Sequence, residues 1–378
     1  MNGNLRVGNL FGIPFYVNVS WFLVLALVTW QYGSGLAAAF PQLSGALPWG
    51  LGLAAALMLF ASVLAHELGH SFAALRQGIG VNSITLFLFG GLAALEKESE
   101  TPKGAFGVAI AGPLVSFALF ALFSVAGQVL PLAGPIAGIV GLLAYINLAL
   151  GAFNLIPGLP LDGGNVLKSI VWQITGQPYK GLVFASRVGQ IIGWTAIALG
   201  AASIVGLSPV GSLWTLLIGL FMLQNANRTA QFGEFQGRLT GLTAADAVAP
   251  DSPVIAATTT LREFADDALL AAPSAWRKFL VADATGRLVG TVLVDALKQV
   301  PRDQWATTAV AAIMTSAEGI ATVEAARPLL EVMQDLESQK VQTLAVIQSD
   351  GSLSGLIEKA TVQALALGRL SRSELQMS

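Results

Sequence analysis

Long apolar runs separated by short Gly/Pro-rich stretches fill the first two-thirds of the chain. About 20 mainly apolar residues suffice to cross a bilayer, and six stretches read as membrane spans: residues 13–30, 47–75, 106–129, 136–156, 185–207 and 213–225, the last being short. Residues 81–98, between the second and third spans, are too short and too interrupted to cross. Two apolar runs there flank Gly90-Gly91 and read as a β-hairpin with its two-residue turn at the glycines. The alternative is a loosely structured interfacial loop. An open strand edge cannot face lipid, because each unpaired N–H or C=O group would cost several kcal/mol. The hairpin is therefore expected at the interface, packed on protein, or paired by something else. Beyond residue 235 the pattern changes to short strands and amphipathic helices.

Charge sharpens this division. The 378 residues are 54% hydrophobic and 11% charged, against about 25% charged in soluble domains. Residues 1–235 hold eight Lys/Arg and six Asp/Glu, and the remaining twelve basic and sixteen acidic residues all follow. Charge density thus rises from about 6% to about 20%, the second value close to soluble composition. The expected fold is an α-helical membrane protein of about six transmembrane helices with a small interfacial β-hairpin, followed by a soluble α/β tail.

Threading six spans alternately puts residues 31–48, 130–135 and 208–212 on one side, and none of these loops is charged. All eight basic residues of the membrane part fall on the other side, which the positive-inside rule makes cytoplasmic. An even number of spans then places the N-terminus and the tail in the cytoplasm of a cell (inner) membrane protein. The N-terminus shows no charged n-region, apolar core and small-residue cleavage site, so the first span is expected to be retained. A net charge of −2 without a basic cluster argues against nucleic acid as a partner, and the absence of cysteine excludes disulfides and thiolate-bound metal.

The only two histidines occur as His66-Glu67-Leu68-Gly69-His70, at the end of an apolar run. Positions i and i+4 share one helix face, so both imidazoles can reach one ion while Glu67 flanks it, as in the H-E-x-x-H geometry of zinc hydrolases. Ionisable residues in such a run are costly and by default functional. The bland alternative is a pair of interfacial histidines with Glu67 reaching to water. Two histidines without cysteine leave the site open, which disfavours a structural metal. A third ligand must be acidic, at membrane depth and on another helix, and Asp162 fits. It follows Asn154-Leu-Ile-Pro157-Gly-Leu-Pro160-Leu, whose prolines and glycines forbid a continuous helix. Broken backbone at this depth is tolerated only in protein or against a wet cavity. A turn Asp in a cytoplasmic loop is the alternative.

HELGH, the Gly90-Gly91 hairpin, Ala111-Gly112-Pro113-Leu114 and NLIPGLPLDGG together resemble the site-2 protease family of intramembrane zinc metalloproteases. The six spans with a cytoplasmic tail are similar to its prokaryotic branch carrying paired cystathionine-beta-synthase (CBS) domains. The resemblance implies one zinc ion on His66, His70 and Asp162, Glu67 as general base, and Asn154 on the scissile carbonyl or its oxyanion. It departs at Ser116, where the family often has Asn. It implies cleavage of single-span membrane proteins within the bilayer, as in regulated intramembrane proteolysis. Because a helical peptide bond is masked by its own hydrogen bonds, the substrate must unwind, and an edge of the hairpin at Gly90 and Gly91 could capture it by β-addition. Proline at Leu88 is then expected to slow cleavage while zinc occupancy stays normal.

The tail repeats itself. Gly286, Leu288 and Gly290 align with Gly351, Leu353 and Gly355 at an offset of 65, and each copy reads as strands and helices in the same order. The copies resemble a CBS pair, with domains expected at 1–235 (membrane), 240–300 and 304–367. The resemblance implies an adenine nucleotide and pairing with a second copy of the chain. The nucleotide-contact positions correspond to Leu293, Ala296, Glu358 and Thr361 rather than to the family's residues, with Asp295 one residue out of register. Regulation and a purely structural role therefore both stay open. A transporter or channel with a regulatory CBS tail is the competing reading of the whole chain, but it predicts ionisable pairs spread over several spans. The intramembrane charge here concentrates at HELGH and Asp162.

Overall fold

The computed structural model describes residues 3–87, 90–270, 276–318 and 320–369. It divides into two compact units, Met1–Gly233 and Glu234–Ser378.

The first unit runs β1 (Asn4–Leu10), β2 (Ile13–Asn18), α1 (Val19–Ala39), α2 (Leu47–Leu75), β3 (Val81–Phe87), β4 (Gly90–Leu95), α3 (Pro102–Val129), α4 (Gly134–Asn154), α5 (Asp162–Thr175), α6 (Pro178–Ile204) and most of α7 (Leu213–Leu239), whose last residues belong to the second unit. Among the described residues α1, α2, α3, α4 and α6 are long and apolar enough to cross a membrane. The stretch expected as a sixth span, residues 213–225, is the first half of α7, whose second half carries Arg228, Gln231 and Glu234. Local sequence sets the helix starts. The Asn18 side chain accepts from Ser20 N at 3.0 Å to cap α1, and Thr101 Oγ1 accepts from Gly104 N at 3.1 Å to cap α3. Pro48 and Pro102 occupy first-turn positions where a missing N–H costs nothing.

The expected hairpin is half of a larger element. Strands β1 to β4 form one sheet in chain order, β2 lying parallel to β3 through Phe15–Ile84, Tyr16–Thr85 and Val17–Leu86. The first expected span therefore began too early. Ile13–Asn18 is apolar, and run length alone cannot separate a short strand from the start of a buried helix. The two glycines are strand residues: Phe87 pairs with Gly90 and Leu86 with Gly91, so both belong to β4. Residues 88 and 89 intervene, and Leu88, the suggested proline site, is outside the described residues. The backbone between α4 and α5 is non-helical, as the prolines require, and it is packed: Leu159 is buried and its N–H donates to Ala185 O of α6 at 3.2 Å.

The second unit contains two copies of one arrangement. The first copy comprises β5 (Val254–Ala256), α8 (Leu261–Leu270), β6 (Lys278–Ala282) and β7 (Leu288–Leu293), extended by the short β8 (Thr315–Ser316) on the edge of β7. The second comprises β9 (Thr322–Glu324), α9 (Leu329–Ser338), β10 (Thr343–Ile347), β11 (Leu353–Glu358) and α10 (Lys359–Ala366). In each, a parallel pair is followed by an antiparallel one. The two hairpin turns meet through Leu353 N to Gly286 O at 2.8 Å and Arg287 to the Asp350 carbonyl at 3.3 Å. Leu280, Ala345 and Leu356 form an apolar contact between the copies.

Candidate metal centre

Helix α2 carries His66 and His70 one turn apart, with ring centroids 4.9 Å apart. Asp162 arrives as the first residue of α5, where the helix dipole favours a carboxylate. Three atoms converge: His66 Nε2 lies 3.0 Å from Asp162 Oδ2, His70 Nε2 lies 3.3 Å from the same oxygen, and the two nitrogens are 3.3 Å apart. Zinc–ligand bonds of about 2.0–2.2 Å imply tetrahedral edges of about 3.3–3.6 Å, so this spacing fits one zinc ion with a fourth position left over. Among the described residues this is the one group of three His, Cys, Asp or Glu side chains close enough to share a metal.

Helix α3 orients both imidazoles from three successive turns of one face. His70 Nδ1 donates to Val108 O at 2.7 Å, which places the proton on Nδ1 and leaves Nε2 with its lone pair for a metal. His66 Nδ1 pairs with the buried Ser116 Oγ at 2.9 Å, so the position that departs from the family pattern still supports the histidine. Between them Gly112 gives the rings room, since a Cβ there would overlap Nε2 of both. With its proton on Nδ1, His70 turns a bare Nε2 toward the Asp162 carboxylate, and a cation between them satisfies both acceptors.

Glu67, half-buried, lies against β4 beside the cluster. A Cβ on Gly91 would overlap the Glu67 side chain, and the Ala93 N–H donates to its carboxylate. Of the expected site residues, His66, His70 and Asp162 are brought together, and Glu67 and Gly91 are in contact beside them. Gly90 opens β4, and Asn154 is the last residue of α4, half-buried, with no hydrogen-bond partner for its amide among the described residues. Asp295 lies in the second unit on an exposed 3₁₀ turn, and the Lys298 ammonium, 2.7 Å away, holds its carboxyl below its ordinary value.

Two supports escape sequence reasoning. The Val108 contact uses a carbonyl that any residue provides. Asn147, fully buried on α4, donates to Ser62 Oγ at 3.0 Å one turn before His66, and to Leu143 O at 2.8 Å. A lone Asn in an apolar run was the available signal, because polar side chains there need partners on other helices.

The profile of Peptidase family M50 matches residues 54–138 and 132–196. A zinc metalloprotease of Synechocystis sp. is 56% identical over 362 residues, spanning 96% of this chain and 95% of that protein. Among solved structures, a site-2 protease from Methanocaldococcus jannaschii is 28% identical and covers 60% of this chain and 95% of its own, with a TM-score of 0.44. The CBS domains of a transcriptional regulator from Streptococcus pneumoniae, 17% identical, cover 32% of this chain and 98% of their own, with a TM-score of 0.27. A relative more than half identical along nearly its whole length decides the matter: this membrane protein belongs to Peptidase family M50, the zinc metalloproteases of the site-2 protease type.

Proposed function

We propose that the chain is an intramembrane endopeptidase that cuts the transmembrane segments of single-span proteins. The observation that carries this reading is the convergence of His66, His70 and Asp162 beside Glu67, with β4 lying across Glu67. His66, His70 and Asp162 would hold zinc, which when bound acts as a Lewis acid and makes water a nucleophile near neutral pH. Glu67 accepts the proton of the attacking water and passes it to the leaving amine. The Asn154 amide, without a hydrogen-bond partner among the described residues, donates to the oxygen on which charge develops. Strand β4 is the outer strand of its sheet, so alternate N–H and C=O groups face away from β3. An unwound substrate segment pairs there by β-addition and is held against Glu67.

The bilayer in this proposal is the cell (inner) membrane, with both the N-terminus and the tail cytoplasmic. That orientation requires the first half of α7 to cross. It is supported by close antiparallel packing on α6, where a Cβ on Gly200 would overlap the backbone at Leu216 and one on Gly193 would stand 3.0 Å from Leu223 N. The duplicated second unit serves as a regulatory CBS pair, taking an adenine nucleotide or a second copy of the chain, and Asp295 offers an exposed carboxylate at present paired with Lys298.

The test is cleavage of a single-span substrate by the full chain in vesicles. A chelator should abolish cleavage and stoichiometric zinc should restore it; cleavage that persists in the metal-free protein would refute the reading. Ser116→Ala should weaken zinc binding about 10–100-fold, the usual effect of removing a group that orients a ligating histidine. Competition against a chelator measures this, and unchanged affinity would mean that the ring is held without Ser116.

A further inference from the structure

Lys168 is the only buried Lys or Arg among the described residues, 8% exposed. It lies on α5, six residues beyond Asp162, and its Nζ donates to Glu98 Oε2 at 2.6 Å. Glu98 stands three residues past the end of β4, in the segment leading to α3. The pair therefore joins the helix that supplies Asp162 to the strand that lies on Glu67.

The two ends differ in how firmly they are held. Helix α5 packs on α3 and α6, and the Lys168 carbonyl sits where a Cβ on Gly181 would lie. By contrast, β4 is held by β3 along one edge and by α2, its other edge is open, and Glu98 beyond its end is 77% exposed. An ion pair with one partner in solvent contributes little stability, and an apolar side chain at position 168 would avoid burying an ammonium at all. Stability alone thus gives little reason for a lysine here, whereas fixing one element against another does.

We propose that the Lys168–Glu98 ion pair is a positioning clasp. It ties the trailing end of β4 to α5, so that a substrate strand laid on β4 presents its peptide bond between Glu67 and the His66–His70–Asp162 cluster. This rests on the reading of β4 as the substrate dock. Lys168 and Glu98 touch no reacting atom and act by holding β4.

The experiment uses the full chain in vesicles and compares wild type with Glu98→Gln/Lys168→Met and with the exchanged pair Glu98→Lys/Lys168→Glu. The uncharged double variant should keep wild-type zinc content, with KM raised about tenfold and kcat within about twofold, since positioning by groups remote from the chemistry is worth factors of this order and more. The exchanged pair should bring KM back toward wild type. Because the chain has no cysteine, nitroxides at Leu92→Cys on β4 and Ile174→Cys on α5, 61% and 78% exposed, report the spacing of the two elements without reference to activity. The double variant should broaden that distance distribution and the exchanged pair should narrow it. An unchanged distribution overturns the clasp itself. A broadened distribution with wild-type KM also overturns the proposal, but by refuting β4 as the dock, so the two failures are distinguishable.

Discussion

Replacing Glu67 with Gln should lower kcat for a membrane-embedded substrate by about 10²–10⁴, the usual contribution of a positioned general base, and leave zinc content unchanged. The amide keeps the size of the carboxylate and can still accept from the Ala93 N–H, so the packing of β4 on α2 is retained. What it loses is the ability to take a proton from water. Zinc should stay because the three converging atoms belong to His66, His70 and Asp162, and Glu67 points instead toward Gly91. Turnover and metal content measured on the same preparation separate the roles. Turnover at the wild-type rate would move the base to another residue. Loss of zinc with loss of turnover would make Glu67 a ligand.

The residues of this centre were legible for physical reasons that do not extend to its surroundings. With only two histidines, the i, i+4 spacing places both on one helix face, and α2 indeed runs unbroken from Leu47 to Leu75. Pro157 and Pro160 forbid helix before Asp162 wherever the chain goes, and the non-helical stretch is found there. The sheet was not legible to the same degree. Pairing of Phe15 with Ile84 joins residues far apart in the chain, and an apolar run such as Ile13–Asn18 carries no mark of its distant partner. Gly90-Gly91 looked like a turn because glycine pairs commonly make them. At Gly91 the cause is instead the Glu67 side chain lying against its α-carbon. Likewise α5 was hidden: its face alternates with Lys168 and Asn165 among apolar residues, so no run-length test detects it, although its first residue is Asp162. A motif reports what its own side chains can do, whereas the strand and helix that aim them depend on contacts made elsewhere.

Gly112→Ala should remove zinc from the protein and reduce cleavage to background. The added methyl would overlap Nε2 of both His66 and His70, the very atoms that converge on Asp162. Side chains can often yield to a methyl group, but these rings are held from behind. His70 Nδ1 is bonded to Val108 O and His66 Nδ1 to Ser116 Oγ, both on the helix that would carry the methyl. Moving either ring away from position 112 therefore breaks its orienting hydrogen bond, and keeping the bond keeps the overlap. Loss of one orienting contact typically costs about 10–100-fold in metal affinity, and displacing both ligating nitrogens should exceed that range. Gly107→Ala is the control on the same helix. A Cβ there meets no atom within 4 Å, and alanine favours helix over glycine by about 1 kcal/mol, so zinc affinity should be unchanged and thermal stability equal or higher. Chelator competition on the two purified variants, with helix content followed by circular dichroism, makes the comparison. Wild-type zinc affinity in folded Gly112→Ala would mean that the two Nε2 atoms are not the ligating atoms, and the centre would have to be rebuilt from other donors.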